Sequence, residues 1–188
     1  MKTYLKTVIM AVSVLFLASC ATQIVETPSR VTPATVKLST FKKVVLVDAE
    51  LAPNYAGQGA NEKAAKKINE HLQMKLSGIF SDLEVVSVEE SKAKSYTQYS
   101  NNEVLVIKPY IKQIKFIGGA ARFWAGAMAG SSVVIMDTAF LDGASKNQLS
   151  NPGFERSAGA YTDAFGIASN RMLEDVAYDV VNYVNSNM

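Results

Sequence analysis

The chain has 188 residues, with 19 Lys and Arg against 17 Asp and Glu. Both excess cations, Lys2 and Lys6, fall in residues 1–19, where there is no acid, so the remainder is balanced (19 − 2 = 17 basic against 17 acidic). A balanced chain has no overall basic footprint for nucleic acid and no polybasic run for anionic headgroups. The single cysteine, Cys20, leaves the folded part without a disulfide or a thiolate metal site.

In chain order, the two lysines are followed by an apolar run from Thr7 to Leu17. It is too short for a bilayer, which needs about 20 residues, and has the length of a secretory signal's apolar region. Leu17-Ala18-Ser19-Cys20 closes it. This resembles the lipobox of bacterial lipoprotein precursors, in which small residues admit a peptidase and a thiol accepts diacylglycerol. The resemblance implies cleavage before Cys20, with Leu17, Ala18 and Ser19 as recognition residues, and a covalent lipid on Cys20 in place of any other cofactor. Two or more acyl chains hold stably where one holds marginally. Ala21 stands where an aspartate favours the inner membrane in enterobacterial lipoproteins, so the expected location is the cell envelope, with the outer membrane favoured and the domain facing the periplasm.

Residues 20–40 read as the lipidated cysteine and a flexible tether, rich in Thr and Ser, with Pro28 and Pro33 and no period. Such a coil would stand the domain roughly 25 Å from the lipid. A single domain over 41–188 follows. Phe41–Ala49 is a strand of the buried type, and Leu51–Gly59 a loop. Asn61 reads as a helix N-cap, with Glu62 in the first turn, and Ala64, Ile68, Leu72, Leu76 and Ile79 recur at helical spacing as far as Gly78. Leu83–Val88 is a second strand, and Glu89–Asn102 a polar loop or short helix. Val104–Ile117 is a long strand region in which Pro109, unable to donate to a ladder, signals a break, an edge, a bulge or a strand start. Ser132–Leu141 is a strand ending in the Asp142-Gly143 turn, and Gln148–Arg156 is a last strand weakened by Pro152 and Gly153. A final helix spans Asp163–Val184, leaving Asn182–Met188 as a frayed tail. The order β-α-β-β-β-β-α predicts an α+β fold with a mixed sheet and two main helices.

Arg122-Phe123-Trp124 with Gly126 and Gly130, the strand Val133–Leu141 ending in Asp142-Gly143, and the late helix around Asn170 and Met172 resemble a bacterial lipoprotein family known as domain of unknown function number 4410. The turn Gly143-Ala144-Ser145-Lys146 departs from the Thr-Gly turn frequent in that family. The resemblance implies a fold and a lipoprotein context, and no activity.

No catalytic constellation stands out. The glycines at 118, 119, 126 and 130 lack the Lys-Ser/Thr of a P-loop and the spacing of a dinucleotide fingerprint, and read as a connection with close backbone approaches. From Phe116 to Met136 the sole charge is Arg122, which raises a membrane reading that a mid-bilayer arginine opposes at about 2.5 kcal/mol or more. Arg122, Phe123 and Trp124 are the candidate partner-binding residues, the aromatics serving as exposed anchors. One histidine, His71, is too few for a usual zinc site, and no G-x-S-x-G supports a hydrolase. Asp48, Asp137 and Asp142 read as strand-end and turn residues. The function expected is an anchored envelope lipoprotein, a non-catalytic accessory or protein-binding module, with membrane lipid and an envelope protein as partners and no nucleic acid. Its alternatives are an oligomeric secretion or pore component using segment 116–136, and an envelope enzyme with an unrecognised site.

Overall fold

The computed structural model describes residues 26–120, Trp124, 130–159, Asp163 and 166–188. The lipobox residues Leu17, Ala18, Ser19 and Cys20, and Arg122 and Phe123, lie outside the described residues.

The apolar run after Phe41 forms β1 (Lys43–Val47). Its continuous Val and Leu are required because both of its faces are covered. Val44 and Leu46 enter the main core, while Val45 and Val47 enter a second cluster on the opposite face. After the two-residue strand β2 (Glu50–Leu51) comes α1 (Gly59–Ser77). Ala64, Ile68, Leu72 and Leu76 on α1 are buried, as their 3.6-residue spacing requires. The helix returns the chain to β3 (Leu83–Val86), parallel to β1. A six-residue helix, α2 (Val88–Ala93), starts in a capping box. The Glu90 amide donates to Ser87 Oγ at 3.2 Å, and the Ser87 amide to Glu90 Oε2 at 2.8 Å. Ser87→Ala removes one half of this box, worth about 1 kcal/mol. The Ser91 and Lys94 amides, which close this helix onto Ser87 and Glu90, are therefore expected to exchange hydrogen several-fold faster, with the α1 amides unchanged.

The two long strands β4 (Val104–Lys115) and β5 (Ser132–Asp142) pair antiparallel, with a register shift between Ile111 and Gln113. β4 is parallel to β1 on its other side. It runs unbroken through Pro109, because that residue lies level with Asp48 and Ala49, between the end of the β1 ladder and the start of β2's. The proline's missing N–H falls where no partner strand needs it. The expected last strand is two pieces, β6 (Gln148–Ser150) and β7 (Gly153–Ala158), both antiparallel to β5. The path is β3-β1-β4-β5-β6, with β2 on β4 and β7 on β5. The mixed α+β sheet is thus as the sequence predicts, with β2 and α2 added. α3 (Ile167–Ser186) packs beside α1 on one face and buries Met172, Leu173, Val176, Ala177, Val180 and Val184.

Three expectations need correction. Asn61 is not the N-cap: α1 begins at Gly59 behind Gln58, and Asn61 is buried. Its amide donates to Gln58 Oε1 at 3.0 Å, while its Oδ1 accepts from the Phe116 amide at 3.3 Å, bracing the helix against the end of β4. The tail is not frayed, since Tyr183 and Val184 are buried and the helix runs to Ser186. Segment 116–136 is not one membrane-spanning helix, because Ser132–Asp142 is strand β5; among the described residues no helix is long and apolar enough to cross a membrane.

Candidate functional site: the strap across the open face

The two long helices, α1 and α3, occupy one face of the sheet, and the short α2 borders the other. Across the other face, at the β4, β5 and β7 end, runs the segment read from sequence as tether. Its first described residue, Glu26, donates its amide to Gln113 Oε1 at 3.0 Å. Lys112 Nζ donates to the Thr27 carbonyl at 2.6 Å and lies 3.4 Å from Asp137 Oδ2. Asp137 is the hub: its Oδ1 accepts from the Ser29 amide at 2.8 Å and its Oδ2 from Ser29 Oγ at 2.5 Å. The Gly153 amide then donates to the Ser29 carbonyl at 3.0 Å. Lys112 sits in the register shift of β4, and this irregularity brings an ammonium over the carboxylate.

The strap then passes to the far end of α3. Tyr183 Oη donates to the Thr32 carbonyl at 2.7 Å, and the Thr35 amide to the Leu149 carbonyl at 3.1 Å. Asn187 closes it, its Oδ1 accepting from the Ala34 amide and its carbonyl from the Leu38 amide, each at 2.8 Å. Leu38 itself is fully buried in the main core. Burial pushes the Tyr183 phenol up from its ordinary value, so it stays a donor at neutral pH. Residues 26–40 are therefore part of the folded body, not a coil standing off from it.

A second buried polar chain lies at the other end of the sheet. The Ile117 amide donates to Ser132 Oγ at 3.1 Å, Ser132 Oγ and Ser169 Oγ are 2.7 Å apart, and Ser169 Oγ donates to Asp163. Asp163 Oδ1 also accepts the Ala168 amide at 2.8 Å, supplying the helix cap that Gly166 lacks. Gly166 has φ +77°, and a Cβ there would meet Gly119 N at 2.8 Å. Gly119 thus has the close backbone approach expected of the glycine-rich segment. This chain holds a helix start in place.

Those residues proposed from sequence that are described are not gathered in one place. Trp124 is 84% exposed. Asp48 directly follows β1 and lines a depression with Glu62 and Glu70 of α1; burial, then Glu90 and Glu89, push its carboxyl up. Asp137 lies under the strap, His71 stands on α1, and Asp142 is buried in its turn. Among the described residues no group of three or more His, Cys, Asp or Glu is placed to hold a metal. The strap contacts escaped the sequence because they engage mainly backbone N–H and C=O groups, which leave no side-chain period.

No family model matches the chain, and no curated protein matches it. The fold is similar to solved structures. The PelC dodecamer from Paraburkholderia phytofirmans superposes with a TM-score of 0.53 at 12% identity, over 84% of this chain and 96% of that one. A point variant of the same dodecamer in another crystal form gives 0.50 at 12% identity, over 85% and 98%. A Caulobacter crescentus protein described as a lipoprotein gives 0.41 at 14% identity, over 80% and 91%. At these identities the likeness to PelC is one of fold alone.

Proposed function

We propose that this chain is a cell-envelope lipoprotein, held by lipid on Cys20, that serves as a non-catalytic accessory module at the membrane surface. The lipobox-like Leu17-Ala18-Ser19-Cys20 supports the anchor, and the strap supports the manner of working. Glu26 is pinned to β4, so residues 21–25 alone separate it from Cys20. Six residue steps span at most about 22 Å. An anchored domain would be held close to the bilayer by the open-face end of its sheet, suited to assembly with a neighbour rather than to long-range capture. Absence of an aspartate after Cys20 favours the outer membrane.

Labelling with radioactive palmitate tests the anchor. The wild-type chain is expected to incorporate label and to begin at Cys20 by mass spectrometry, and Cys20→Ala to incorporate none. An unlabelled wild type would overturn the reading.

A second reading makes the working state a homo-oligomer. It is favoured by the fold likeness to a protein that forms a dodecamer, over nearly the whole of both chains. Light scattering of the detergent-extracted lipoprotein, corrected for detergent, decides between them: a discrete large multiple supports the ring, and a monomer mass leaves the partner-binding module, with Phe123 and Trp124 as its first alanine variants.

A further inference from the structure

The open face carries a second feature, further towards the start of β4. A cleft of about 240 Å³ lies between α2 and its following loop on one side and β4, β5 and the β5–β6 turn on the other. Val106 and Leu141 are apolar lining, Tyr96 contributes a wall, and Lys92, Lys94, Lys108 and Lys146 stand around it. The size is below the roughly 300–1,000 Å³ of drug-sized sites, so it suits a headgroup or a small ester.

The charge in this cleft is only partly neutralised from within. Lys94 pairs with Glu84, and Lys43 takes the other oxygen of that carboxylate at 2.9 Å. Lys92, Lys108 and Lys146 have no ion pair among the described residues. Asp142 is the acid lining the cleft, and its oxygens are already taken: the Asn102 amide donates at 2.6 Å, and the Ser145 amide and hydroxyl at 2.7 and 2.8 Å. Glu90 is engaged in the capping box. The Tyr96 hydroxyl is buried with no hydrogen-bond partner. Burial lifts its phenol above the ordinary value, so it remains a donor wanting an acceptor. Three ammonium groups without an ion pair thus stand around the cleft, with the Tyr96 side chain in its wall.

We infer that this cleft binds a phosphate monoester or similar compact dianion, with Lys92, Lys108 and Lys146 as its charge partners. Lysines act as mobile point charges on phosphate, each bond to it being charge-assisted, and the Val106–Leu141 lining accommodates an adjoining apolar part. Leu141 in the cleft and Asp137 under the strap lie four residues apart on the regular strand β5, about 13 Å, so the cleft opens on the same face as the strap. The phosphate can therefore come from a lipid headgroup or from a soluble ester.

The full-length protein in neutral detergent separates these by calorimetric titration, once with inorganic phosphate and once with micelles doped with phosphatidic acid. Saturable binding is expected in at least one arm at physiological salt, weakened at least tenfold in K92Q/K108Q/K146Q and about threefold in Lys146→Gln alone. Binding in both arms assigns the phosphate group itself; binding in one names its source. The control K63Q/K66Q/K67Q, on the exposed face of α1, is expected to bind as wild type. No binding in either arm, full binding by the cleft variants at wild-type melting temperature, or an equal loss in the control would overturn the inference.

Discussion

Gly153→Ala is expected to strip the strap from the sheet. A Cβ at Gly153 would lie 2.1 Å from Ser29 N, 2.5 Å from Asp137 Oδ1 and 2.7 Å from the Pro28 carbonyl carbon. Two of these are backbone atoms, which have no rotamer by which to retreat. The strap must lift, and with it go both bonds from Ser29 to Asp137 and the bond from the Gly153 amide to Ser29. Asp137 and Lys112 then keep each other and gain water, which limits the loss. Overpacking costs about 1–3 kcal/mol, and the broken charge-assisted bonds add about as much again. A fall of about 3 kcal/mol in unfolding free energy is expected from urea titration, together with faster trypsin cleavage after Arg30, whose backbone the strap now fixes. Ser29→Ala removes only the hydroxyl bond and is expected to cost about a third of that. Wild-type stability and an unchanged cleavage rate in Gly153→Ala would show that the strap does not bear on the fold.

The strap also marks where the sequence stopped being legible. β1 and α1 are readable because their side chains carry the pattern: a solid Val-Leu run for a strand covered on both faces, and a 3.6-residue stripe for a helix covered on one. Residues 26–37 are held by amides and carbonyls against Gln113, Asp137, Gly153 and Asn187, and backbone bonding is invisible to residue type. Asn61 shows a related failure. A residue that favours helix starts was read as one, but its amide is spent on Gln58 and Phe116, contacts that exist only after folding. The split of the last strand was half visible, since Pro152 and Gly153 signalled weakness. What they serve is the strap, for Gly153 gives Ser29 room. The cleft was the least visible of all. Lys92 and Lys94, Lys108, and Lys146 belong to three separate segments, and overall neutrality concealed a local excess that the turn and α2 bring together.

The Asp142-Gly143 turn, by contrast, was legible as a turn and carries more than a turn requires. A Cβ at Gly143 would meet Val104 Cβ and Cγ1 at 3.0 Å, so the turn packs against the start of β4. Asp142 is buried there and receives the Asn102 amide, the Ser145 amide and the Ser145 hydroxyl, tying the loop before β4 to the end of β5. Asn102 has φ +63°, a left-handed conformation this bond helps to hold. Asp142→Ala removes the acceptor of three hydrogen bonds, each worth about 0.5–1.5 kcal/mol net, so a loss of about 3 kcal/mol is expected at neutral pH. The charge can be separated from the shape. Burial works to raise the Asp142 carboxyl, but the hydrogen bonds from Ser145 and Asn102 outweigh it and hold the group below the usual carboxylate range. A pKa lowered by folding means that the unfolded chain binds the proton more readily. The stabilisation is therefore complete above the unfolded carboxylate value, about 3.9, and is lost as pH falls through the folded one. Asp142→Asn keeps an acceptor without a titration, so its deficit relative to wild type is expected to be largest at pH 6–7 and to shrink steadily below pH 4 in urea titrations. A deficit independent of pH would mean that the carboxylate's shape, and not its charge, holds the turn.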